Sequence, residues 1–90
     1  AAMQLELANI RAQIASLEAR YTEIERDQDR VRKNMDTVAQ NAESYSMWER
    51  KLVEQEKEVD TIKTKLEQLR GEESQRRIAL EEYISNLSMD

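Results

Sequence analysis

A chain of 90 residues that is 37% charged and only 39% hydrophobic cannot enclose a broad globular core. Its 14 Lys and Arg against 19 Asp and Glu leave a net charge of −5, which opposes general affinity for nucleic acid or anionic lipid. Without cysteine or histidine there is no disulfide framework, no thiolate zinc site, and no imidazole base or metal ligand.

No run approaches the roughly 18 consecutive apolar residues of a membrane span, and the N-terminus lacks the basic and apolar regions of a secretory signal. The opening Ala1, Ala2, Met3 reads as a boundary within a longer chain, and nothing marks a cellular compartment. There is no proline and one glycine, so only the polar stretch near residues 39–44 breaks the pattern.

A first helix is predicted from about Met3 to about Val38. Its apolar residues alternate by three and four: Met3, Leu7, Ile10, Ile14, Leu17, Tyr21, Ile24, then Gln28, then Val31, Met35 and Val38. That spacing is a coiled-coil seam, with Leu7, Ile14, Tyr21, Gln28 and Met35 at heptad position a and Ile10, Leu17, Ile24, Val31 and Val38 at d. The link over residues 39–44 offers Asn41 as a stop tolerant of left-handed geometry and Ser44 as an N-cap. So short a connection makes the two helices antiparallel neighbours.

The second helix is predicted from about Ser44 to about Leu87. Its ladder runs Tyr45, Trp48, Leu52, Gln55, Val59, Ile62, Leu66, Leu69, Glu73, Arg76, Leu80, Tyr83 and Leu87. Folding back at Asn41 and Ala42 sets facing residues at numbers that add to about 83, so every layer is an a–d pair. This register places Gln28 opposite Gln55. Sliding by one heptad would set Gln28 against Trp48 or Ile62 and strand a buried amide at a cost of about 1–3 kcal/mol, so the two glutamines form a register-setting polar layer. The fold class is therefore all-α: one domain over residues 1–90, a two-helix antiparallel coiled-coil hairpin.

Near the termini the ladder puts Glu73 and Arg76 opposite Ile10 and Leu7, beside Gly71, where bending or weaker packing is expected. Here a second stripe, Leu5, Ala8, Ala12, Ala15 and Ala19, lies away from the seam, with Gly71, Ser74 and Ile78 at the matching level of the second helix. Small residues at heptad spacing permit close approach by another helix. The expectation is association here, with a second copy as a homodimeric four-helix bundle or with the rest of a parent chain. Alanine on a solvated face also simply raises helix propensity.

No catalytic constellation emerges. Asp27 and Asp29 lack the glycine turn and distal glutamate of a calcium loop. Glu72 with Glu73, and Glu81 with Glu82, diverge on a helix, and the serines have no histidine to activate them. No catalytic residue, metal ligand or cofactor site is assigned. The basic cluster Arg26, Arg30, Arg32 and Lys33 is interleaved with Glu23, Glu25, Asp27 and Asp29, so its field reads as cancelled and no nucleic-acid partner is expected. Cross-hairpin support is expected from Arg32 to Glu49 or Glu56 and from Asp27 to Lys51. Trp48 is a core knob against Met35 or a tip contact for a partner.

Asp27, Gln28, Arg30, Arg32, Asn34 and Met35 on the first helix, with Lys51, Leu52, Gln55 and Glu56 on the second, resemble the helical C-terminal region of the bacterial mucoidy-inhibitor-A-like proteins. That family has Glu where this chain has Lys33. The resemblance implies an excised hairpin from a longer protein with a β-rich portion, and brings no catalytic residue. Together these readings point to a non-catalytic spacer or docking arm, the alternative being a chaperone- or adaptor-like module that binds through its tip or a groove between hairpins.

Overall fold

The computed structural model describes residues 2–38 and 41–88. Two helices, α1 (Ala2–Thr37) and α2 (Ala42–Ser88), pack against each other as an antiparallel hairpin. The result is a rod of 74 × 15 × 15 Å. Its radius of gyration, 20.6 Å, compares with about 12 Å for a compact domain of this length.

The helices end within a residue of the expected positions, and α2, with 47 residues against 36 in α1, spans nearly the whole rod at about 1.5 Å per residue. The start of α2 differs, and the reason is the cap. Asn41 does not stop α1 in a left-handed conformation, since no described non-glycine residue has positive φ. It is instead the N-cap of α2. Its Oδ1 accepts from the Ser44 N–H at 3.1 Å, and its carbonyl accepts the first helical bond from Tyr45 at 2.9 Å. Ser44 is thus the third residue of the helix rather than its cap, and Glu43 sits in the first turn, where the helix dipole favours a carboxylate. The Asn41 N–H also donates to the Val38 carbonyl at 2.8 Å, which closes the turn. Ala39 and Gln40, part of the expected turn, lie outside the described residues.

Every buried apolar residue belongs to the two ladders: Leu7, Ile10, Ile14, Ile24, Val31, Val59, Ile62, Leu66 and Leu69. Leu17 and Tyr21 pack half-buried against the main cluster. Burial is complete at Val31, then falls toward the tip, where Met35, Val38, Tyr45, Trp48 and Leu52 are all half-buried.

Ion pairs across the seam report the same register. Arg20–Glu58 and Asp27–Lys51 join g positions, while Glu18–Arg70 joins e positions, as antiparallel heptads in this alignment require. Arg32 does not cross the hairpin; its partner is Asp29 on its own helix, 3.7 Å away. An i, i+3 neighbour is reached without ordering a second helix's long side chain.

At the stem end α2 runs unbroken through Gly71, and Leu7, Ile10, Ile14 and Leu69 stay buried, but beyond Leu69 no described residue of α2 is buried. The heads of Glu73 and Arg76 pair with Arg11 and Glu6 on α1. The ladder's last rungs, Tyr83 and Leu87, are exposed. In this register their facing positions fall before Ala2, the first described residue of α1.

Gly71 meets no such constraint, since a Cβ built there has nothing within 4 Å. Gly71→Ala is therefore expected to stabilise the hairpin by about 1 kcal/mol through helix propensity alone, read as a higher urea midpoint. A lower midpoint would show that this glycine is packed.

Candidate functional site

Three regions carry the residues singled out from the sequence: the polar layer at mid-rod, the tip around Trp48, and the outer face of the stem.

At mid-rod Gln28 is 6% exposed and Gln55 is half-buried. They share a level but do not bond each other. Gln28 Nε2 donates to Glu56 Oε1 at 2.8 Å, and Gln55 Nε2 donates to Asp27 Oδ2 at 2.5 Å. Each amide thus reaches the acidic residue beside the other, a crossed pair with local two-fold character. Gln55 Oε1 is buried with no hydrogen-bond partner. Asp27 is the hub of the layer: Arg30 reaches its Oδ1 at 2.7 Å, and Lys51 its Oδ2 at 3.3 Å.

The hydrogen bond from Arg30, helped by Lys51 and opposed by desolvation, holds the Asp27 carboxyl below its ordinary 3.8. About two turns toward the stem, Arg20 grips Glu58 with two hydrogen bonds, at 2.7 and 3.0 Å, and Glu23 with a third at 3.2 Å. The bond to Arg20 lowers the Glu58 carboxyl below its ordinary 4.5, and Glu58 and Glu23 in turn raise the Arg20 guanidinium.

Both carboxyls bind protons less readily folded than unfolded. The stability they supply is therefore full above about pH 5 and is withdrawn as pH falls through their lowered folded values. Melting followed by circular dichroism should show a temperature steady from neutrality to about pH 5 and falling below about pH 4, with Arg20→Gln flattening the fall. An acid profile identical in Arg20→Gln would show that this grip does not contribute.

At the tip Trp48 is half-buried, which places it between a core knob and an open anchor. The Arg30 guanidinium lies 5.7 Å and the Lys51 ammonium 5.6 Å from its ring centroid. The ladder located Trp48 but not these two cations. The signal for them lies in heptad phase, since Arg30 at c and Lys51 at g border the flank on which a d residue of α2 emerges.

On the stem, Leu5 is 62% exposed, Ala8, Ala12, Ala15, Ala19, Gly71 and Ile78 are exposed, and Ser74 is half-buried. All eight occupy outer b and f positions. Among the described residues, five of the seven large exposed hydrophobics lie at this end, Leu5, Ile78, Tyr83, Ile84 and Leu87, so the stem is where apolar surface accumulates.

Among the described residues no cluster of three or more carboxylates could hold a metal ion, and no helix is long and apolar enough to cross a membrane. The fold defines a class, the two-helix antiparallel coiled-coil hairpin. Beyond that class, no family model, curated protein or solved structure matches the chain.

Proposed function

We propose that this chain is a non-catalytic structural and interaction module, a helical hairpin that serves as a spacer or docking arm of a larger protein and associates through its stem. The observation that carries this reading is the exposure of Leu5 and Ile78, together with the small residues Ala8, Ala12, Ala15 and Ala19, on the outer face at one end of a 74 Å rod. A rod separates what is held at its two ends, and an apolar stem is the end that gains most from being covered. The resemblance to the mucoidy-inhibitor-A-like proteins is in keeping with such a role.

The partner at the stem is a second copy, forming a four-helix bundle through the small residues at Ala8, Ala12, Ala15 and Ala19. Sedimentation equilibrium over a wide concentration range is expected to show a reversible dimer. Ala12→Glu, which places a carboxylate in the middle of the stripe, is expected to return it to monomer with helicity unchanged. A monomer at every concentration removes self-association; a dimer indifferent to Ala12→Glu moves it to another face.

A second reading, an adaptor or chaperone-like module that binds through its tip, is favoured by one observation: Trp48 is only half-buried. Ready quenching of its fluorescence by a neutral quencher supports that reading, and a protected indole counts against it.

A further inference from the structure

The charges of the tip half alternate in sequence but separate in space. Between residues 25 and 51, Arg26, Arg30, Lys33, Arg50 and Lys51 occupy heptad positions c, f and g, with Arg32 the one cation at e. Over the same span Glu25, Asp29, Asp36 and Glu49 occupy b and e, with Asp27 at g and Glu43 at f. An antiparallel hairpin sets the g positions of both helices along one flank of the seam and the e positions along the other. One flank of the tip half is therefore acidic, and the other, with the outer edges of both helices, is basic.

On the basic flank, Trp48 lies against Arg30 and Lys51, and Met47 beside it in the chain is 53% exposed. Toward the stem the same flank holds a groove of about 430 Å³ whose lining sets Arg20, Arg26 and Arg30 beside the carboxylates of Glu23 and Asp27, Arg20 being already held by Glu23 and Glu58. Arg26 and Lys33 have no carboxylate within 4.0 Å among the described residues. Arg30 and Lys51 share a single one, Asp27. The flank thus carries more positive charge than it neutralises, next to an indole and a thioether that water still reaches.

We propose that this flank docks an acidic peptide segment of a partner protein. Arg30 and Lys51 take its carboxylates, Arg26 extends the charged contact along the groove, and Trp48 with Met47 takes an apolar side chain between them. Charge complementarity selects this occupant. A nucleic acid would bring a long run of phosphates to a rod only 15 Å thick whose other flank is acidic, within about two screening lengths at physiological salt. A second copy could offer its own acidic flank, but such a heterologous contact does not close and would yield open chains rather than a discrete complex. The proposal is independent of whatever covers the stem.

Trp48 is the only tryptophan in the chain and reports directly on this face. Its emission is to be followed on titration with a synthetic helical peptide of about 16 residues that repeats Glu and Leu on adjoining faces. Controls are the same peptide with Gln for Glu and a thymidine oligonucleotide of similar length. A saturable change with the acidic peptide, weakened by salt and about tenfold weaker in the double variant Arg30→Gln/Lys51→Gln, is the expected result.

Asp27→Asn should tighten binding, because it removes the internal carboxylate that competes for both cations while keeping an acceptor for Gln55. A merely structural role for Arg30 and Lys51 does not predict that gain. The helical melts of the variants show whether each remains folded at the assay temperature. No saturable response, an equal response to the Gln peptide, or tighter binding of the oligonucleotide would overturn the proposal. So would assembly of the chain into large species before peptide is added.

Discussion

At a concentration low enough to keep the hairpin monomeric, Ile24→Ala is expected to destabilise it by about 3 kcal/mol, while Ile78→Ala changes it by no more than about 0.5 kcal/mol. The two substitutions remove the same atoms from the same kind of helix. They differ in surroundings: Ile24 is 2% exposed and belongs to the cluster formed with Val59, Ile62, Leu66 and Leu69, whereas Ile78 is 46% exposed on the stem. In a rod only two helices thick, few neighbours can relax into the space an isoleucine leaves, so the cavity contribution adds to the lost transfer energy. With about 0.05–0.15 kcal/mol of stability per residue to draw on, a loss of this size is a large share of the whole. Urea unfolding monitored by helical circular dichroism decides it. Similar losses for the two variants at higher concentration would mean that the stem face is buried in solution, itself direct support for association there.

The second large effect concerns the polar layer. Had the two glutamines bonded each other, replacing one would strand the other. The crossed arrangement changes the expectation. Gln28 donates to Glu56, an exposed carboxylate that water serves once the amide is gone, and Gln55 keeps Asp27. Gln28→Leu alone should therefore stabilise the hairpin, by about 1 kcal/mol, through apolar burial at a nearly closed position. Gln55→Leu removes an amide whose Oε1 is buried and unsatisfied, so the double variant gains further, about 2 kcal/mol in all.

The gain comes with a loss of alignment. Cysteines at Ile24 and Val59 meet in the native register, and cysteines at Ile24 and Leu66 meet only after a one-heptad slip. Oxidation of the second pair in the double leucine variant, and not in the parent, is the expected outcome. A double variant that cross-links only through the native pair would show that the apolar layers hold the alignment unaided.

The architecture is readable from residue spacing because a seam that repeats every seven residues has one way to be buried, and no proline interrupts it. The level of Gln28 and Gln55 follows from the same spacing. What spacing does not convey is partner choice among polar groups. Asn41 can end one helix or begin the next, and its local sequence is compatible with both; the turn geometry decides for the second. Heptad spacing offers Arg32 carboxylates on both helices, and the one it pairs with is Asp29 on its own helix. The basic cluster looks cancelled when read along the chain, because neighbours in sequence point a hundred degrees apart on a helix. Its separation into flanks becomes visible only when each charge is assigned a heptad position and the two helices are laid antiparallel.

The crossed bonds at mid-rod also give the hairpin a mechanical character. If α1 and α2 are pulled along their common axis in opposite directions, small displacements move side chains off their facing positions without offering any new pairing. The next alignment that again matches a with d lies one heptad away, about 10 Å. Reaching it requires Gln28 to leave Glu56 and Gln55 to leave Asp27 together, so the rod resists creep and yields in a single step.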